Sequence, residues 1–119
     1  MLERGTYIAV FALSRRCRIQ VGKLGSFWFE PGLYLYAGSA QRNLSARLAR
    51  HARKVKPLRW HIDYLSTKAA MIGAVTVPGP RERECKLAGE LRHMHELAVP
   101  GFGASDCGCG GHLFYTRGL

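Results

Sequence analysis

The chain has 119 residues, a hydrophobic fraction of 47% and a formal charge of +10. That length reads as a single domain, 1–119, with enough apolar material to bury a core without staples. No apolar run reaches the width of a hydrocarbon core and residues 1–5 lack an apolar leader, so a cytoplasmic protein without a membrane span is expected.

Residues 6–13 (TYIAVFAL) are almost continuously apolar, the pattern of a strand covered on both faces. After a Ser14-Arg15-Arg16 turn, residues 18–21 alternate and predict a half-exposed strand. A turn over residues 22–25 leads to a strand at 26–29, and Pro31-Gly32 turns the chain into residues 33–38. Four short strands with tight turns predict an antiparallel meander. Residues 43–53 carry Leu44 and Leu48 four apart with arginines on other faces, which predicts an amphipathic helix with Asn43 as its N-cap. Pro57 closes that stretch, and Trp60, Ile62, Tyr64 and Leu65 predict a short second helix. Residues 71–77 read as another buried strand, ended by Pro78-Gly79-Pro80. The longest predicted helix is 81–97, with Leu87, Leu91 and Met94 at core spacing. A glycine-rich loop, 101–111, precedes a final apolar stretch at 113–115. The expected fold class is mixed α/β, of the α+β kind: a small, mostly antiparallel sheet flanked by helices.

Charge is unevenly placed. Between Glu30 and Asp63 there is no acidic residue, while Arg42, Arg47, Arg50, Arg53, Lys54, Lys56 and Arg59 all fall in that interval. Such a segment attracts phosphate backbones and releases their counterions. DNA is the expected partner, RNA the second candidate, and a merely solvated basic face the plain alternative. A membrane-surface helix needs a broad apolar face, and this segment offers only Leu44 and Leu48.

The four cysteines are Cys17, Cys85, Cys107 and Cys109. Cys107-Gly108-Cys109 is too tight for an unstrained mutual disulfide. With no secretion signal in view, metal binding or burial ranks ahead of a disulfide framework. Cys107, Cys109 and His112 offer three ligands for Zn²⁺, with Cys85, His93 or His95 as a fourth. The other reading is a glycine-rich loop that packs its thiols.

The most informative pattern is Tyr36-Ala37-Gly38, then Arg47 nine residues later, then His51 one helical turn further on. Arg47 and His51, four apart, share a helix face. Gly38 suits a strand that turns tightly beside a phosphate, and Ser39 can donate to a phosphate oxygen. Upstream, Gly5-Thr6-Tyr7 supplies a second tyrosine. Together these resemble the GIY-YIG nuclease superfamily, whose two signature tripeptides read here as G-T-Y and Y-A-G. The clusters from Trp60 to Leu65 and from Pro100 to Tyr115 resemble an uncharacterised bacterial and archaeal branch of it, sometimes fused to endonuclease III.

The resemblance implies a Mg²⁺- or Mn²⁺-dependent endonuclease that hydrolyses DNA phosphodiester bonds, with a link to DNA repair. It implies that Tyr7 and Tyr36 handle protons and orient the attacking water, that Arg47 contacts the scissile phosphate, and that Glu84 holds the metal. His51 positions a nucleophile, relays its proton, or simply faces solvent. Glu84 has its own plain reading, a charge complementing a helix N-terminus. Ser39, Arg42, Arg50, Arg53, Lys54, Lys56 and Arg59 are expected to bind flanking phosphates. Members of the superfamily often carry a late asparagine near the site. Here Asn43 is the only asparagine; either Ser105 and Asp106 fill equivalent space, or the activity is reduced. The alternative is a catalytically inactive nucleic-acid-binding module of the same fold. Convergence of Glu84, Tyr7 and Arg47 on one cleft separates the two.

Overall fold

The structure is a computed structural model and describes residues 4–40, 42–77, 83–102 and 111–117. In chain order its elements are β1 (Gly5–Leu13), β2 (Cys17–Val21), β3 (Gly25–Phe29), β4 (Gly32–Ala40), α1 (Leu44–Ala52), α2 (His61–Ser66), β5 (Ala70–Val77), α3 (Arg83–Met94), β6 (Glu96–Leu97) and β7 (Leu113–Thr116). The fold is α+β. An antiparallel sheet in the order β5-β1-β4-β7-β6 lies between helices, and β2 and β3 pair as a separate ribbon.

The ribbon departs from the predicted meander. β1 pairs directly with β4 along its whole length, from Gly5 opposite Ala40 to Leu13 opposite Gly32. The intervening hairpin leaves the sheet and packs against α2, burying Ile19, Val21 and Phe29. Alternation explains the choice: β2 and β3 have one apolar face to bury, whereas β1 has two.

Residue alternation sends each sheet face to a different layer. Tyr7, Ala9, Phe11, Tyr34 and Leu113 join Leu44 of α1 and Ile62 and Leu65 of α2 in the larger core. On the opposite face Ala37 and Phe114 pack with Ala88 and Leu91 of α3, with Ile8, Leu35 and Leu87 alongside.

Three predicted details change. Asn43 occupies the N-cap position of α1 but is left-handed, with φ 54, and makes no capping hydrogen bond through its side chain. The long helix stops at Met94 because Glu96 and Leu97 pair with Tyr115 and Phe114 as a strand. β5 is an edge strand rather than a buried one: Ile72 and Val75 are each more than half exposed. A β-bulge between Val10 and Phe11 shifts its register. Apolarity in β5 therefore reports pairing to β1, not burial on both faces. Among the described residues no helix is long and apolar enough to cross a membrane.

Candidate active site

The site gathers at the Gly38 end of the β1–β4 pair. Tyr7 of β1 lies directly opposite Gly38 of β4, and a Cβ at Gly38 would stand 2.5 Å from the Tyr7 hydroxyl oxygen. Glycine is needed there because the phenol lies across the strand. This differs from the predicted reason, since β4 runs on through Ala40 and Gly38 makes no turn. The Tyr7 Oη is 2.7 Å from His51 Nε2. Tyr36 completes an aromatic cluster, its ring 6.3 Å from that of Tyr7 and 6.0 Å from that of His51.

His51 is buried rather than solvent-facing. Burial, reinforced by the Lys56 ammonium, holds its pKa down to about 4. The imidazole is therefore neutral at neutral pH, and its Nε2 can accept the Tyr7 proton. Its Nδ1 is buried with no hydrogen-bond partner among the described residues. Burial likewise pushes the Tyr7 phenol up to about 12, outweighing the nearby Arg47 guanidinium. Tyr36 is raised further still, by burial and then by Tyr7 and Glu84. Neither tyrosine is a phenolate at neutral pH.

Glu84 approaches from the opposite face of the sheet, in the first turn of α3. Ser39 Oγ donates to its Oε1 at 2.7 Å. His112 Nδ1 lies 3.0 Å from its Oε2. The carbonyl oxygen of the same Ser39 accepts from Arg47 Nη1 at 2.9 Å. One residue of β4 thus joins the carboxylate on one face to the guanidinium on the other. Its hydroxyl, expected to meet a phosphate, is committed to Glu84. Glu84 is the carboxylate here that could hold a Mg²⁺ or Mn²⁺ ion. Hard divalent cations of this kind need little more than one or two carboxylates and water.

The basic interval divides. The Arg47 and Arg50 guanidinium carbons lie 4.5 and 4.4 Å from the Trp60 ring centroid, so both stack on it. Arg50 then turns to Asp63, donating to its two oxygens at 2.7 and 2.9 Å, and to the Pro57 carbonyl. The Lys56 side chain is fully buried; its Nζ donates to the carbonyls of Arg50 and His51 and lies 4.0 Å from Asp63. Asp63, itself buried, also accepts from the backbone N–H groups of Arg59 and Trp60. Its carboxyl stays below the usual range because these hydrogen bonds overcome the effect of burial. Arg50 and Lys56 are thus engaged inside the fold, and Lys54 Nζ donates to the Ala69 carbonyl. Arg42, Arg53 and Arg59 remain exposed and face solvent.

Residues 6–118 match the family model of domain of unknown function DUF123. The chain belongs to the DUF123 family. No curated protein and no solved structure matches it. In this DUF123 domain the predicted zinc ligands Cys107 and Cys109 lie outside the described residues, as do Ser105 and Asp106. His112, the third, is buried beside Glu84 instead, with Cys85 Sγ 4.0 Å from its Nε2. Cys85 is disulfide-bonded, which corrects the expectation of a buried or metal-bound thiol there. Cys17 is a free thiol. The His61 ring packs against that of Phe102, centroids 5.5 Å apart.

Three contributions depend on tertiary contacts. His112 reaches Glu84 only because β7 pairs with β4, Leu113 opposite Tyr36. Trp60 meets α1 only through the packing of α2 on it. Asp63 gave one clue, being the first acid after a long basic interval.

Proposed function

We propose that this DUF123 protein is a metal-dependent endonuclease of the GIY-YIG type, hydrolysing DNA phosphodiester bonds in repair or processing in the cytoplasm. The observation that carries the reading is the bridge through Ser39. It ties Arg47 and Glu84 to one residue, beside the Tyr7–His51 pair.

Glu84 holds the cation, its carboxylate oriented by Ser39 and His112. A bound divalent ion would supply positive charge for the phosphoryl oxygens and for the departing oxygen. Arg47 has spare N–H donors after its bond to Ser39, enough for a two-pronged grip on the scissile phosphate. The Tyr7 oxygen accepts a proton from the attacking water as its own proton passes to His51 Nε2. The neutral imidazole makes that transfer possible, and the raised phenol pKa means Tyr7 acts as a relay rather than as a standing base. Tyr36 walls the cluster and keeps bulk water from it.

The rival reading is a nucleic-acid-binding module without catalysis. It draws on the placement of Glu84 across the sheet from the two tyrosines. Incubation with supercoiled plasmid, branched DNA and single strands in Mg²⁺ or Mn²⁺ separates the two. Cleavage that falls about a hundredfold or more in Glu84→Ala supports the enzyme. Cleavage unchanged by that substitution belongs to a contaminant, and DNA retention without any cleavage selects the module.

A further inference from the structure

The β2–β3 ribbon carries a surface that the site above does not use. Its inner face is buried through Ile19, Val21 and Phe29, and its outer face presents Arg18, Gln20, Ser26 and Trp28 to solvent. Arg18 is paired across the ribbon with Trp28, and Gln20 with Ser26. Trp28 is 54% exposed, an unusual state for the largest apolar side chain. It is nevertheless held in place. The Arg16 guanidinium lies 4.2 Å from its ring centroid, and Arg16 Nε donates to Glu30 at 2.7 Å. Gln20 and Ser26 are tied to each other as well, at 2.8 Å. Residues 14–29 hold Arg15, Arg16, Arg18 and Lys23 and no acid.

We propose that this outer face is a stacking platform for an unpaired nucleic-acid strand, Trp28 taking a base and Arg18 a neighbouring phosphate. An aromatic ring on a rigid, basic sheet face binds single strands with little regard to sequence, because every base has a π-face. A duplex hides those faces inside its own stack. The platform therefore directs the protein toward substrates with splayed or single-stranded segments, such as flaps and junctions. Arg15 and Lys23 extend the positive field along the strand. This inference rests on the nucleic-acid reading of the previous section and names its substrate class.

The chain has two tryptophans, Trp28 and Trp60, so Trp60→Phe leaves Trp28 as the only indole reporter. Titrating that variant with oligothymidylate is expected to quench its fluorescence, and oligouridylate shows whether RNA is taken equally. Trp28→Ala is expected to weaken single-strand binding about tenfold while leaving blunt duplex binding within about twofold. Trp28→Phe, which keeps a π-face, restores most of the affinity and controls for folding. Arg18→Ala lowers the salt dependence by about one counterion. Single-strand binding without quenching, or equal weakening on duplex and single strand, overturns the platform and leaves the nuclease reading standing. No binding to any nucleic acid overturns both. Quenching without cleavage keeps the platform and removes the enzyme.

Discussion

Arg47 and Arg50 stand three residues apart on α1 and stack on the same indole, yet they serve different regions. Arg47 leads to Ser39 and through it to Glu84, where a guanidinium with spare donors faces the proposed phosphate. Arg50 leads to Asp63, which with Lys56 forms a buried ionic cluster that fastens α1 to α2. Positive charge in a run thus says little about partners until each side chain's acceptor is known. A buried carboxylate converts cations into internal ties, and a strand end leaves them open for chemistry.

The contrast is broken most forcefully at Asp63. Asp63→Ala strands Arg50 and Lys56 without their counter-charge and removes the acceptor for two backbone N–H groups. A loss of about 3–5 kcal/mol in denaturant-measured stability is expected, against a small stability change for Glu84→Ala. Equal losses at the two carboxylates would dissolve the distinction between the regions.

His51 sits between the two clusters and supplies the next largest effect. Its folded pKa of about 4 lies below the unfolded value of 6.5, so the unfolded chain binds more protons between them. The stability is full above about pH 6.5 and is lost as pH falls toward 4. The shift corresponds to about 3 kcal/mol. Melting curves of the wild-type chain and His51→Gln across that window measure the difference. A gap that stays constant with pH would show that His51 is not held neutral.

Gly38→Ala sharpens the comparison on the side of the proposed site. The added methyl must displace the Tyr7 phenol, at about 1–3 kcal/mol of stability, and break the bond to His51. Cleavage is expected to fall further than stability alone explains, whereas Asp63→Ala acts through stability. The smallest effect belongs to the exposed Arg53. Arg53→Ala is expected to leave stability within about 0.5 kcal/mol, and to reduce the salt slope of DNA binding by about one, read by fluorescence anisotropy.

Much of the fold was legible from local pattern. Period-2 and continuous apolar runs marked β1 to β4, and the leucine spacing marked α1, because these signals depend only on which face of an element is covered. Pairing was less legible. The ribbon's departure from the sheet and the edge position of β5 depend on which apolar faces find each other at a distance. The proposed aromatic and basic members of the site, Tyr7, Tyr36, Arg47 and His51, could be named from the resemblance of two tripeptides and a helix to a known motif. The burial of His51 could not, since one residue per turn does not reveal what packs upon it.

By itself the sequence determined the α+β class, the basic character of residues 31–62 and the spacing of the residues proposed for the site. Those are properties of residue type and near-neighbour spacing. Tertiary structure alone decided that Ser39 joins Arg47 to Glu84, that His112 stands behind that carboxylate, and that Asp63 takes Arg50 and Lys56 out of reach of a ligand. Each contact bridges elements far apart in the chain, and whether a charge is held internally or left for a partner is settled by the geometry of its nearest acceptor.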